Sequence, residues 1–293
     1  MAYDRILNIE IHNLTINRAV RLGGNKNILH VGGLSSAEYK LDVKDNALFD
    51  GVSVTGAKLG AREISLRWEL SDYGLSPRTR EELIHMFSPK HEFLLYVRRD
   101  EIIRRINARV TSFVIDPVNL YDYYISDIEF ICPDPYFLDE NDTVSRFRIF
   151  EPLINAPFIF LPEGAGLTAG MQVVTDGIHV NNAGDADFGI RAEITVVGGD
   201  VINPAIWRGA GAYVRVITTL HIGDVMIIDT RRGNKGIWVK TAGTGELIKV
   251  LRYDPTSTWF TLAQGGNFVS FKADDGAEKA ETTITYSNRW LGV

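Results

Sequence analysis

Pairs of turn-forming residues interrupt the second half of this 293-residue chain at short intervals, with apolar stretches between them. Gly, Asn, Asp and Pro favour turns for different backbone reasons, so their regular return marks the ends of short strands. From Met171 onward roughly eight strand candidates follow one another without a convincing helix, which predicts a β-sandwich. The pairs include Asn182-Ala183-Gly184-Asp185, Gly199-Asp200, Asn203-Pro204, Gly223-Asp224 and Gly265-Gly266.

The first half is predicted to be rich in β-structure with one helix. Ile64, Leu66 and Trp68 alternate with polar residues, a period-two pattern that predicts a strand with one buried face. The helix is expected over about residues 77–88, because a proline suits its first turn and Pro89 stops it.

Two further strand patterns flank that helix. Residues 52–56 predict a short strand that ends at a glycine turn. Residues 93–97 and 102–114 predict a hairpin whose tip is Arg98-Arg99-Asp100-Glu101.

The strongest break in the chain is Pro133-Asp134-Pro135, which follows the strand that contains Cys132 and precedes an acidic, polar stretch. Prolines there remove ladder hydrogen bonds. We therefore expect an amino-terminal β domain over residues 1–138 and a carboxyl-terminal sandwich over residues 139–293.

Composition excludes several classes of protein. A net charge of −6 offers no basic face for specific nucleic-acid binding, and the single cysteine provides neither a disulfide framework nor a cysteine zinc site. No apolar run approaches a membrane span, and the first residues lack a secretion signal, so we expect synthesis in the cytosol without membrane insertion.

No residue pattern indicates catalysis, a cofactor or a metal. The six histidines show no metal-ligand spacing, and Cys132 shares a face with Ile128 and Phe130, as expected for a small buried hydrophobe rather than a nucleophile. The glycine pairs Gly23-Gly24 and Gly32-Gly33 suggest a phosphate loop, but Gly24-Asn25-Lys26 lacks the glycine-lysine-hydroxyl order that such a loop needs, so flexible loops are predicted instead. A cell-wall hydrolase would need a nucleophile or acid–base pair that the sequence does not show, so we expect no enzyme.

Two clusters allow two interpretations each. The hairpin arginines form either a solvated face or an ionic protein–protein interface, since arginine is enriched at interfaces. As a hypothesis, the oligomer interface comprises Arg98, Arg99, Arg104, Arg105, Arg109, Gly23 and Gly24. The aromatic residues Trp207, Trp238, Trp259, Tyr213 and Tyr253 form either a sugar-stacking surface or part of the sandwich core, and the core interpretation is favoured.

Three signatures in the first half carry a resemblance to a known family. They are Gly60-Ala61-Arg62-Glu63-Ile64, the helix followed by Phe87-Ser88-Pro89, and Cys132-Pro133-Asp134-Pro135-Tyr136-Phe137. The second half adds its turn pairs together with Ile228-Asp229-Thr230 and Ser257-Thr258-Trp259. In this order they resemble siphophage distal tail proteins over essentially the whole length. The resemblance implies a split-barrel-like amino-terminal domain and a galectin-like carboxyl-terminal sandwich.

The same resemblance implies a structural role in the virion, at the tail tip or baseplate. Such proteins form a hexameric ring of identical subunits, in which a helix and an extended hairpin contact the neighbour. The ring joins the tail tube protein to the tail-associated tip protein, and the carboxyl-terminal domains offer docking sites to receptor-binding proteins.

A carbohydrate-binding module for host cell-wall polysaccharide is the alternative function, because galectin-like sandwiches bind sugar in other proteins. The galectin His-x-Asn-x-Arg strand has no match at His179-Val180-Asn181, which lacks the arginine. The Trp-Gly strand is missing as well, since Val239 follows Trp238.

Overall fold

The chain is described by a computed structural model over residues 7–23, 28–35, 37–46, 50–70, 77–117, 124–148 and 177–293. The described residues are mainly β with one α-helix, which confirms the predicted class. They form two compact units, the first of Met1–Asn141 with Arg289–Val293 and the second of Asp142–Asn288.

The first unit holds a nine-stranded sheet in the order β2-β1-β7-β8-β9-β6-β3, with β10 paired to β8 and β23 to β10, and a separate pair of strands, β4 and β5. Its elements are β1 Leu7–Asn13, β2 Arg18–Gly23, β3 Ile28–Gly32, β4 Tyr39–Asp45, β5 Val52–Leu59, β6 Arg62–Leu70, α1 Pro77–Met86, β7 Phe93–Arg99, β8 Ile102–Pro117, β9 Tyr124–Cys132, β10 Phe137–Asp139 and β23 Arg289–Trp290.

The long strand β8 organises this sheet. Its first half pairs with β7 in the predicted hairpin, and Asp100 at the tip has a left-handed φ of 56°. Its second half pairs with β9 from Arg109 onward, with a register shift between Val110 and Ser112. Alternation then directs Ile106, Ala108 and Val110 into the core, as the sequence predicts.

The period-two pattern of β6 is confirmed, since Ile64, Leu66 and Trp68 are each at most 2% exposed. Helix α1 begins at Pro77 as predicted, but it ends at Met86, two residues short of the predicted end. Phe87 still donates its N–H to Leu83 and enters the core, so it closes the last turn while its side chain packs inward.

Two predictions in the first unit are wrong. Gly56 does not end a strand. It lies within β5 opposite Asp42, next to a register shift, and irregularities of this kind are a common place for glycine inside a strand. Gly33 is no flexible loop residue, because a Cβ there would lie 1.9 Å from the carbonyl oxygen of Glu63. Its φ of 82° also suits glycine.

The second unit contains a six-stranded sheet, β11-β22-β13-β18-β19-β20, a four-stranded sheet, β12-β21-β15-β16, and a pair, β14-β17. Its elements are β11 Thr143–Arg148, β12 Gly177–Asn182, β13 Arg191–Val196, β14 Val201–Ile202, β15 Ala205–Arg208, β16 Ala212–Arg215, β17 Thr219–Leu220, β18 Val225–Asp229, β19 Gly236–Lys240, β20 Leu247–Lys249, β21 Gly265–Lys272, a 3₁₀ turn Ala277–Lys279 and β22 Ala280–Tyr286.

Both larger sheets direct alternate apolar residues into one core. Ile194, Ile228 and Ile284 come from the six-stranded sheet, and Ile206 and Phe271 from the four-stranded sheet. This arrangement is the predicted sandwich; its galectin-like topology stays a prediction.

The turn pairs act as backbone hydrogen-bonding devices. The Asn182 side chain donates to the carbonyl oxygens of Ala186, at 3.0 Å, and Leu262, at 3.1 Å. The carboxylate of Asp224 accepts N–H bonds from His221 and Ala242, each near 3 Å. These residues therefore fix the ends of strands, as turn chemistry predicts.

The division of the chain differs from the expected one at both ends of the second unit. The first unit extends to Asn141, because β10 returns to β8 beyond Pro133-Asp134-Pro135. Residues 289–293 also belong to the first unit, where β23 pairs with β10. Turn spacing alone gives no sign of this long-range return.

Candidate functional site

The pair formed by β4 and β5, here called the ribbon, is the most unusual surface of the first unit. The two strands pair with each other over their whole length and with no other described strand. One face of the ribbon is apolar, and the other carries Lys40, Asp42, Lys44 and Lys58. The apolar side chains and their exposed fractions are Tyr39 62%, Leu41 58%, Val43 53%, Val52 53% and Val54 60%.

A ribbon of this kind is poorly stabilised by itself. An isolated two-stranded hairpin is marginal in water, and contiguous exposed apolar area marks an interaction surface. Burial of these five apolar side chains at an interface would contribute roughly 1 kcal/mol for each side chain. The ribbon is thus a surface that lacks its partner within the described chain.

The guanidinium of Arg62 joins three separate segments of the first unit. Arg62 is 1% exposed and donates to the carbonyl oxygens of Gly33, at 2.6 Å, Pro135, at 2.7 Å, and Leu291. It also lies 4.7 Å from the ring centroid of Phe137. Burial lowers the pKa of Arg62, yet arginine stays protonated in proteins, so three carbonyls surround a buried cation. Two of the sequence signatures meet at this point.

Cys132 lies beside this cation and is fully buried. Burial raises the pKa of its thiol to about 12, an effect that the Arg62 charge only partly opposes. The thiol is therefore neutral near pH 7, and the predicted role as a small core residue is confirmed.

The hairpin arginines divide into two sets by strand parity. Arg99 and Arg104 share the parity of the buried residues, and both reach the segment 289–293. Arg99 donates to the main-chain oxygen of Val293 at 3.1 Å, and Arg104 donates to that of Gly292. The Arg104 guanidinium also covers the Trp290 ring at 4.1 Å. These two side chains therefore attach the segment 289–293 to the β7–β8 hairpin within the first unit.

Arg98, Arg105 and Arg109 have the opposite parity and face outward. Arg109 pairs with Glu92 at 2.5 Å, and both side chains are more than half exposed. Gly23 ends β2 opposite Asn8, and Gly24 lies outside the described residues. The proposed interface role of these residues stays a prediction.

An apolar depression of about 500 Å³ lies beside α1. Its wall includes five apolar residues, Ile84, Phe87, Pro89, Val110 and Phe113, and five polar ones, His85, Ser88, His91, Thr111 and Ser112. Ile84, on the helix side of this depression, is 48% exposed. The first unit therefore carries both an exposed apolar ribbon and an exposed apolar depression.

The aromatic residues of the second unit do not fill its core as expected. Ile206 and Ile237 are buried, so Trp207 and Trp238, one position later, face away from the core. The Trp207 ring stacks on Tyr213 with centroids 4.4 Å apart. Only Trp259 fits the core interpretation, because it packs against the buried cluster.

Within the described ranges, no three His, Cys, Asp or Glu side chains lie close enough to hold a metal ion. Over the same ranges, no helix is long and apolar enough to span a membrane.

A family model matches part of the second half of the chain. Residues 183–290 match the model described as siphovirus-type tail component, C-terminal domain. The carboxyl-terminal unit is therefore similar to domains of that family. No curated protein sequence matches the chain.

Solved structures show a likeness over almost the whole chain. The Dit protein of phage SPP1, described as a paradigm of the hub adsorption apparatus in phages that infect Gram-positive bacteria, has a TM-score of 0.65 at 12% identity, with 97% of this chain and 99% of that chain covered. A chain of the phage P2 baseplate in its activated conformation with Ca has a TM-score of 0.54 at 9% identity, with 96% and 98% covered.

These likenesses confirm the predicted resemblance to distal tail proteins. At such low identity the structures establish the shared fold, and the family match shows that residues 183–290 are similar to a tail component domain. The described relatives are structural proteins of phage tails and baseplates rather than enzymes.

Proposed function

We propose that this protein is a siphophage tail component that assembles as a hexameric ring at the distal end of the tail. The ring would join the tail tube protein to the tail-associated tip protein and provide docking sites for receptor-binding proteins. The exposed apolar face of the ribbon is the observation that carries the proposal.

The ribbon requires a surface that another subunit supplies. Its apolar side chains are each more than half exposed and do not belong to the buried core cluster of the unit that bears it. A contact in which one subunit's ribbon covers a different surface of the next subunit is head-to-tail. Such contacts close into a ring when the rotation between subunits permits, which limits growth to a fixed number of copies.

The apolar depression beside α1 is the acceptor that we assign to the ribbon of the neighbouring copy. Both surfaces expose apolar side chains, and both belong to the unit that the resemblance makes ring-forming. Covering them together would remove the exposed parts of Leu41, Val43 and Ile84 from water.

The outward arginines are a second proposed contact. Arg105 and Arg109 lie on one face of β8, and Arg98 lies on the adjacent strand. Charge reversal of Arg105 is expected to weaken assembly and to leave subunit stability nearly unchanged, because Arg105 has the parity of the outer face of β8 rather than that of the core residues. Arg104 does not serve for this test, because its reversal would also break contacts with the segment 289–293.

The ribbon is tested by measuring the mass of the purified protein by light scattering and imaging the same sample in negative stain. Wild-type protein should give closed rings of six subunits. Leu41→Asp places a charge in the proposed contact and should leave monomers with an unchanged melting temperature. Leu251→Asp is the matched control, since Leu251 is 79% exposed but lies in the second unit.

Rings of Leu41→Asp that match the wild type would contradict the ribbon contact. Rings lost equally in Leu251→Asp would show a general effect of charge on the surface. A wild-type protein that remains monomeric even when mixed with assembled tail tube would contradict the proposed hub.

A further inference from the structure

The outer face of the six-stranded sheet carries a depression built around Trp238. Strand registers place side chains from all six strands in one row across this face: Arg146, Thr283, Glu193, Ile227, Trp238 and Lys249. The depression has a volume of about 450 Å³ and lies at the β18–β20 end of the row. This volume suits a small ligand or one segment of a polymer.

The Trp238 indole forms an apolar part of the depression because of Gly236. A Cβ at position 236 would lie 2.4 Å from the outer edge of the indole, so the six-membered ring occupies the space of that missing side chain. The indole therefore leans along β19 over bare backbone and remains half-buried beside Ile227 and Leu247.

Other tryptophans of the second unit are covered by neighbours. Tyr213 stacks on Trp207, and the Lys272 ammonium lies 4.9 Å from the Trp207 ring centroid. Trp259 packs against the core and meets Tyr253 edge-on at 6.0 Å. Of these three tryptophans, Trp238 is the one that lines a described depression.

Two ion pairs neutralise the carboxylates around this depression. Arg231 pairs with Asp229 at 2.6 Å, and Arg191 pairs with Glu193 at 2.6 Å. The buried Nε of Arg191 has no acceptor among the described residues, although a desolvated donor without a partner costs free energy. The arrangement thus holds an arginine at the site at some expense of stability.

Two lysines at the rim leave the depression positively charged. Lys235 and Lys249 line it, and neither forms an ion pair with a described residue. Lys249 lies directly opposite Trp238 in the register, so its ammonium can reach a ligand that contacts the indole. Asn234 adds an amide that can both donate and accept.

We propose that this depression binds a saccharide that carries an anionic group. The apolar face of a pyranose ring would lie against the Trp238 indole, because an aromatic ring offers a broad apolar surface. Asn234 and Arg191 would bond to hydroxyl groups, and Lys235 and Lys249 would pair with a phosphate or carboxylate of the saccharide. The proposal concerns the second unit alone and does not depend on ring formation.

An array of purified bacterial polysaccharides tests this site with the full chain. Three classes are compared: polymers with uronic acids, polymers with phosphodiesters, and neutral polymers. Saturable binding is expected to the anionic classes and to weaken with added salt; the class bound identifies the anionic group. Calorimetry with the best polymer gives the affinity, and inorganic polyphosphate serves as an anion without a sugar.

Matched variants on the two sheets locate the site. Trp238→Ala and Lys249→Glu should each lower the affinity about tenfold, the size expected when a stacking or ionic contact is lost. Trp207→Ala and Lys272→Glu place the same changes on the four-stranded sheet and should leave the affinity within about twofold. Melting curves exclude variants that fail to fold.

Three results would overturn the proposal. The first is no saturable binding to any anionic polysaccharide. The second is equal binding of polyphosphate with no effect of Trp238→Ala, which would leave only charge attraction. The third is loss of a baseplate protein's binding in the Trp238 and Lys249 variants with polysaccharide binding unchanged, which would make the face a protein-docking surface.

Discussion

Replacing Arg62 with methionine is expected to destabilise the first unit more than any change to an exposed arginine of the same strand. Methionine keeps the apolar packing of the side-chain stem, but it removes the donors to the carbonyls of Gly33, Pro135 and Leu291. The contact with the Phe137 ring is lost as well. The change therefore isolates the polar part of the side chain.

The magnitude follows from those bonds. Each buried carbonyl left without a donor costs about 1–3 kcal/mol. The gain from no longer burying the guanidinium offsets part of this sum, because desolvation of an ion costs several kcal/mol. A net loss of roughly 3–4 kcal/mol remains, in line with removing one partner of a buried charged network. For a unit of this size that corresponds to a fall in melting temperature of roughly 10 °C.

Calorimetry and hydrogen exchange measure the loss. Scanning calorimetry gives the transition of each unit, and exchange should accelerate in β6, β9 and β10 but not in the second unit. Arg67→Met is the matched control on the same strand, since Arg67 pairs with Asp127 at 3.1 Å with both side chains about half exposed. Its cost should stay within about 1 kcal/mol. Arg62→Lys should be intermediate, because a single ammonium cannot reproduce the planar fork of donors.

Equal melting temperatures for Arg62→Met and wild type would refute the reasoning. So would a cost for Arg67→Met as large as that for Arg62→Met, because the effect would then not come from the buried carbonyls.

Three further outcomes are expected. Removing residues 289–293 uncovers part of the first core and should lower the melting temperature of the first unit alone, as two separate calorimetric transitions would show. Burial raises the pKa of Cys132 to about 12 in the folded chain, above its unfolded value. Above about pH 9 the unfolded state therefore loses a proton that the folded state keeps, and the free energy of unfolding falls as the pH rises. Urea titrations should show a steeper fall for the wild type than for Cys132→Ala. The pKa of His221 is raised by its hydrogen bond to Asp200, so this contact stabilises the folded state at low pH and is lost as pH rises through the folded pKa; an NMR titration should show the pKa falling in Asp200→Asn.

Local patterns predicted much of this fold. Alternation identified the buried faces of β6 and of the β7–β8 hairpin, because period-two burial is a local property of a strand. The same rule separates Ile106 from Arg105 without any knowledge of partners. Turn chemistry identified strand ends in the second unit for the same reason.

Long-range pairing could not be predicted in this way. The arginines at the hairpin tip were one cluster in the sequence, yet parity assigns Arg104 inward, where its partner is a segment about 190 residues later. Nothing near either residue specifies that contact. Likewise, Trp207 and Trp238 are large aromatic residues of the type expected in a core, and only their strand registers show that they face outward.

The candidate surfaces show the same limit more sharply. Gly56 suggested a turn, so the sequence did not predict the full ribbon. Its second strand, β5, continues through Gly56 to Leu59. Once β4 and β5 are paired, the apolar residues Leu41, Val43 and Val54 fall on one face with no described strand to cover it. In a monomer such a face is a liability for aggregation, whereas in a closed ring each copy supplies the missing cover for the next. The proposed ring therefore explains the ribbon as half of an interface. The pairing register of β4 and β5, which places these apolar residues on one face, is seen only in the three-dimensional structure.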